Sequence, residues 1–297
     1  MDAEDYEELA GFWEISLRNQ NLSPETIRSY LQGVRSYGAW CAASGTEPTL
    51  SMRSAEAFTV SLLEKWSPST ATARQLAIRQ FSAWLARQDP PEIERDFLLG
   101  LKAPRLDNRV VEHLTDPQLG DLLRACAGKR MVDLRDTALF RFMVSTTARA
   151  EEACSLRVYD VQIQAGSAVI VRGKGGKGRR VGFGPKTAEA LARYVRVRRH
   201  HQLAHRDELW LAERIRVLNY QALYATLTRR AEAAGIDGFH PHMLRHTAAI
   251  RWLRAGGSVT GLMAQGGWTD IAMVQRYIQT ASEELAIEES HRLDGGI

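Results

Sequence analysis

Cysteine is scarce in this chain of 297 residues: Cys41, Cys126 and Cys154 lie far apart and in no C-x-x-C spacing. That excludes a disulfide framework and a zinc knuckle, and it points to a reducing, cytoplasmic setting. No apolar run approaches the ~18 residues that cross a bilayer. The acidic start (Asp2, Glu4, Asp5, Glu7, Glu8) is unlike a signal peptide, so no membrane partner is expected. Internal repeats and low-complexity tracts are absent. The glycine-rich stretch R-G-K-G-G-K-G-R-R at 172–180 has no Lys-Ser or Lys-Thr to close a phosphate-binding P-loop. His200, His201 and His205 sit among Arg196, Arg198, Arg199 and Arg206 with no matching carboxylate or cysteine pattern. They read as a basic solvated face, and no metal or other cofactor is expected.

What is present is an ordinary globular composition, 44% hydrophobic and 25% charged, in a chain long enough for two domains. The net charge of +4 is unevenly spread. Residues 1–106 carry 11 Lys and Arg against 14 Asp and Glu, whereas 107–297 carry 28 against 21. A basic C-terminal half fits a polyanionic partner without establishing one.

The first hundred residues read as helices only. Apolar residues Leu9, Phe12, Trp13 and Leu17 mark one side of a helix over 4–19. Ser23-Pro24 and Ser67-Pro68 each combine an N-cap with proline at the first helical position, and a further helix spans 54–66. The bundle's aromatics, Trp40, Trp66, Phe81 and Trp84, are expected in its core. Asp89-Pro90-Pro91 breaks the pattern, and a charged, extended linker follows over about 100–111. The expected domains are therefore 1–106 and 107–297. In the second, helices over 115–126, 133–147 and 150–156 precede three antiparallel strands at 159–164, 168–172 and 179–183. Helices resume at 186–199, 219–234, 241–254, 259–265, 269–279 and 282–292, the last as a separate amphipathic tail. The fold class is mainly α with a small antiparallel β-sheet.

The chemistry gathers in 240–277. His242 and Arg245 are three residues apart, on one helix face. Trp268 and Tyr277 follow nine residues apart, about 2.5 helical turns. An imidazole, a guanidinium, an indole N–H and a phenol suit an oxyanion with a nucleophile beside it. Upstream, Arg149 in T-T-A-R-A-E-E-A can pair with Glu152, which would fix the direction of its fork. His246 reads as a structural hydrogen-bonding residue. Taken alone, the 172–180 tip, with Arg172, Lys174, Lys177 and Arg179, suits a solvated turn as well as a phosphate contact.

The order Arg149, Lys174, His242-x-x-Arg245, Trp268, Tyr277 resembles the active-site pattern of the tyrosine recombinases, the phage integrase and Xer family. P-H-M-L-R-H-T matches the family's H-x-L-R-H box, and the interval from G-W-T-D to Tyr277 matches its last box. Two departures stand out. The first arginine box commonly reads T-G-L/M-R, whereas here it is T-T-A-R, and Trp268 occupies a position often held by His.

The resemblance implies a helical core-binding domain at 1–106 and an α+β catalytic domain at 107–297, with a tail helix about 282–292 that docks on a neighbouring subunit. It also implies a site-specific recombinase or integrase that cuts and rejoins DNA through a 3′-phosphotyrosyl intermediate at Tyr277. Arg149 and Arg245 would clamp the phosphate and Trp268 would donate to it. His242 would serve as base or orienter, and Lys174 would protonate the departing 5′-oxygen. The implied partner is duplex DNA with an inverted-repeat core site, bound by a homotetramer whose subunits are monomers or weak oligomers when free. Arg74 and Arg79 of the helical domain, with Arg172, Lys177 and Arg179, are the expected backbone contacts. The rival readings are a type IB topoisomerase and a DNA-binding protein that does not cut.

Overall fold

The computed structural model describes residues 2–105, 111–170 and 178–294. It divides into two compact units, Met1–Asn108 and Arg109–Ile297.

The first unit is built on four helices, α1 (Ala3–Asn19), α2 (Pro24–Ala43), α3 (Met52–Leu63) and α4 (Pro68–Leu85). The Ser23 hydroxyl accepts from the Thr26 amide at 3.2 Å and Ser67 from Thr70 at 3.3 Å, so both Ser-Pro starts are true caps. Trp13, Tyr37, Phe58 and Phe81 form the buried centre. The phenol of Tyr6 donates to Val34 O and that of Tyr37 to Thr49 O, so the buried hydroxyls are paired. Trp40 and Trp84 pack half-buried against this core. Trp66 does not join it and is 60% exposed, because α3 stops at Leu63 and the indole lies in the turn beyond. Phe12, expected on the inward stripe of α1, also faces solvent.

The second unit runs α5 (Asp116–Ala125), α6 (Met131–Thr146), α7 (Ala150–Cys154), a 3₁₀ turn (Val158–Asp160), then strands β1 (Val161–Gln162), β2 (Ser167–Ile170) and β3 (Arg179–Gly182). These strands form an antiparallel sheet in the order β1-β2-β3, with Val161 opposite Ala168 and Ile170 opposite Arg179. β1 is shorter than the expected 159–164 and β3 stops one residue before 183, while the expected end of β2 and the tip residues Arg172, Lys174 and Lys177 lie outside the described residues. Helices α8 (Pro185–Arg198), α9 (Tyr220–Ala233), α10 (His242–Arg254), α11 (Val259–Gly266) and α12 (Ala272–Asp294) complete the unit.

Helix α6 forms much of the core, with Ala138, Leu139, Phe140, Phe142 and Met143 all buried. The basic run around residue 200 is only partly a solvated face. Arg198 is buried and donates to the carbonyls of Ala204, Arg206, Glu208 and Leu209, while His201 contacts Ala212 O and the Leu203 amide. A backbone loop is thus tied to α8 by side chains. Helix α12 also corrects an expectation, being one helix where the pattern suggested two. Ser282, the expected start of the tail helix, lies inside α12, and no Gly or Pro separates it from Gln279. Thr280 bonds back to Arg276 O, and Gln279 reaches Glu283 one turn on, so the helix carries through.

Candidate active site

Arg245 is the centre of the arrangement. Only 2% exposed, it donates through Nη1 to Thr147 O at 2.5 Å and through Nη2 to Gly266 O at 2.8 Å. Those carbonyls terminate α6 and α11, where unpaired C=O groups gather partial negative charge. One guanidinium therefore fastens two helix ends and still has N–H groups left for another acceptor. Burial, then the charge of Arg149, pulls its pKa down to about 10, so it stays cationic at neutral pH.

The Thr147 carbonyl is presented by an unusual turn. Its φ of 52° is left-handed, which a β-branched residue adopts only under strain. Thr147 stands at the glycine position of the recombinase-type box, and the chain keeps the glycine-like turn without the glycine.

Arg149 forms the N-cap of α7 and is bound to Glu152, amide to Oε2 at 2.8 Å and Nη1 to Oε1 at 2.9 Å. A second cation completes this clasp. Arg179 of β3 donates to both Glu152 oxygens, at 3.0 and 2.7 Å, and through Nε to Gln265 O. Burial opposes ionisation of Glu152, but the bonds and charges of Arg179 and Arg149 prevail and hold it below the usual carboxylate range. Arg179 is thus turned into the protein, onto a carboxylate, rather than outward toward a polyanion.

Trp268 and Tyr277 close the back of the site. Gly267, at φ 67°, ends α11 in a left-handed turn. A Cβ on Gly266 would stand 2.0 Å from the Trp268 ring, so the indole needs glycine there. Arg245 Cζ lies 4.1 Å from the centre of that ring, a cation–π contact, and Tyr277 tilts against it at 5.4 Å. Tyr277 itself is fully buried, and its hydroxyl accepts from Arg276 Nη2 at 3.0 Å.

The two histidines of α10 differ in setting. His242 is exposed and lines a cleft of about 230 Å³ with Arg149, Arg245, His240, Tyr220 and Tyr224. His246 lies behind it, 4.6 Å from the His242 ring and 5.6 Å from Tyr277. Desolvation and neighbouring cations (for His242, Arg245 first) push both rings down to about 4, so both are neutral at pH 7.

Arg149, His242, Arg245, Trp268 and Tyr277 are thus brought together around one cleft and its back wall. Arg74 and Arg79 lie half-buried on α4, Arg74 reaching toward Ser29 O. Two residues escaped the sequence reading. Gln265 bonds Gly182 N and O and Ser145 O, tying β3 to α6 and α11, and nothing in the sequence singles it out. Arg276 lies next to Tyr277 in the chain, and that adjacency was the available signal. Among the described residues, no group of three or more His, Cys, Asp or Glu is placed to hold a metal ion, and no helix is long and apolar enough to cross a membrane.

The phage integrase family model matches residues 112–284, and the phage integrase N-terminal SAM-like domain matches 9–89. The chain is 31% identical over 215 residues to the tyrosine recombinase XerC of Actinobacillus pleuropneumoniae serotype 7, covering 72% of this chain and 68% of that one. It is 28% identical over 269 residues to XerD of Ralstonia nicotianae, covering 89% and 86%. The fold resembles that of the XerH site-specific recombinase bound to palindromic difH substrate, with a TM-score of 0.75 at 17% identity over 97% of this chain and 84% of that one. It also resembles a lambda integrase dimer bound to a COC′ core site, with a TM-score of 0.71 at 13% identity over 92% and 95%. The first of these matches spans more than half the chain, including every described residue of the cleft and its back wall: the chain belongs to the phage integrase family, the tyrosine recombinases.

Proposed function

We propose that this chain is a site-specific DNA recombinase in which Tyr277 is the nucleophile. The observation that carries the reading is the placement of two guanidiniums, Arg149 and Arg245, along one cleft with a phenol behind them. A phosphodiester under attack gains charge on its non-bridging oxygens, and planar, permanently charged forks suit that charge. Trp268 adds an indole N–H, and neutral His242 at the cleft mouth orients the phosphate or accepts a proton. Tyr277 Oη bonds to phosphorus as the 5′-oxygen leaves, protonated by Lys174, giving a 3′-phosphotyrosyl link. A 5′-hydroxyl of a partner strand then reverses the step, so the bond energy is conserved without ATP.

The substrate is duplex DNA with inverted half-sites, worked on in the cytoplasm by a tetramer whose subunits are monomeric or weakly associated when free. Units Met1–Asn108 and Arg109–Ile297 are the core-binding and catalytic domains. Arg74, Arg79, Arg172 and Lys177 are the backbone-phosphate contacts. A nicked suicide substrate resolved on a denaturing gel tests the reading. Wild type forms a covalent adduct, and Tyr277→Phe loses the adduct while retaining binding. Absence of any Tyr277-dependent adduct would leave a DNA-binding protein that does not cut.

A further inference from the structure

We propose that His246, rather than His242, takes the proton from Tyr277 during cleavage; this rests on the recombinase reading above. Its Nδ1 lies 3.0 Å from Glu112 O. A carbonyl oxygen only accepts, so Nδ1 carries the hydrogen and Nε2 of the neutral ring is a bare lone pair. That Nε2 is buried and has no hydrogen-bond partner among the described residues. A buried acceptor without a donor is unfavourable and calls for an explanation.

The neighbour supplies one. Tyr277 packs against the His246 ring at 5.6 Å. Its hydroxyl oxygen already accepts from Arg276, so the hydroxyl hydrogen is the part still in need of an acceptor. His242, by contrast, is exposed on the cleft beside Arg149 and Arg245, where a phosphate would sit. The two imidazoles thus divide the work, one facing the substrate and one facing the nucleophile. The groups around His246 are His242 on its own helix, Arg276 and Tyr277 of α12, and His240 and the Glu112 backbone of the preceding segments. In the step, Tyr277 Oη bonds to phosphorus as the P–O5′ bond breaks. The phenolic proton passes to Nε2 of His246, and the departing 5′-oxygen receives its proton from Lys174. Resealing runs the same transfers in reverse.

The test uses the full chain and a duplex selected from a randomised pool by Tyr277-dependent covalent capture. His246→Asn retains an amide N–H at the Nδ1 position for Glu112 O and lacks the Nε2 acceptor. Single-turnover adduct formation should fall roughly 100-fold or more, the range for loss of a general base, with thermal melting and DNA binding near wild type. His246→Ala should be rescued by added imidazoles, and the rescue should rise with the basicity of the imidazole. Wild-type cleavage by His246→Asn, or rescue independent of basicity, overturns the assignment. A pool that yields no Tyr277-dependent adduct from the wild-type protein overturns the recombinase reading and the assignment with it.

Discussion

Arg179 grips both carboxylate oxygens of Glu152, at 3.0 and 2.7 Å, although 27 residues separate them in the chain. The same carboxylate carries Arg149 on its other side. Glu152→Gln keeps the shape and removes the charge that holds two cations together. Arg179 is then left buried without its counter-ion, a loss on the order of 3–5 kcal/mol. Chemical denaturation should show that loss, and adduct formation should fall with it as Arg149 loses its direction. Unchanged stability in Glu152→Gln would remove the clasp from the account.

Acid should destabilise the DNA-free protein in a defined window. His242 and His246 are held near 4 in the folded chain, against about 6.5 when unfolded. Between those values the unfolded chain binds more protons, so stability falls as pH drops from about 6.5 toward 4. Glu152, held below its ordinary range, adds a further loss at still lower pH. Melting temperatures recorded from pH 8 to 4.5 should be level at the top and decline below about 6.5. His246→Asn should make that decline shallower. A level profile down to pH 5 would contradict the neutral state of these rings in the folded chain.

Trp268 separates packing from hydrogen bonding. Trp268→Phe keeps an aromatic face under Arg245 but removes the indole N–H. Cleavage should slow by about 100- to 1000-fold, as for one lost donor to a developing oxyanion. Trp268→His returns an N–H and should recover part of the rate in the same gel assay. Equal rates in all three proteins would show that the indole N–H has no part in the chemistry.

Gly266→Ala puts a methyl group where the Trp268 ring stands. The clash is with a ring pinned between Arg245 and Tyr277, so it cannot be relieved by a flexible side-chain end. A destabilisation of about 1–3 kcal/mol is expected, with loss of cleavage larger than the stability change explains. Parallel melting and adduct measurements decide it.

Thr147→Gly should stabilise the protein by roughly 1 kcal/mol, because glycine takes the left-handed turn freely and loses only part of that gain to chain entropy. A lower melting temperature would mean that the Thr147 hydroxyl, bonded to Thr146 O, outweighs the strain.

Much of the site was legible because its residues keep fixed intervals on helices. His242 and Arg245 share α10, and the Ser-Pro caps of α2 and α4 are signals read from adjacent residues. What escaped depends on distant partners. Arg179 reads as a surface charge beside a glycine-rich tip, and only the tertiary fold brings Glu152 beneath it. Ser282 and Trp66 failed for a related reason: a local propensity was overridden by the helix around one and by the helix ending before the other. Arg198 went unread as a loop anchor because its acceptors are backbone carbonyls, which no side-chain pattern reveals.

The reach of Arg245, back 98 residues to Thr147 and forward 21 to Gly266, bears on synthesis as well as on chemistry. A chain emerging from its N-terminus displays Arg149 early, but the second guanidinium has no helix ends to fasten until α11 is out. The phenol arrives later still, eleven residues beyond Gly266. Loops of that length close late in folding. On the proposed roles, the groups that would hold a phosphate and the phenol that would attack it come together only near completion, so an unfinished chain beside DNA would carry no assembled site.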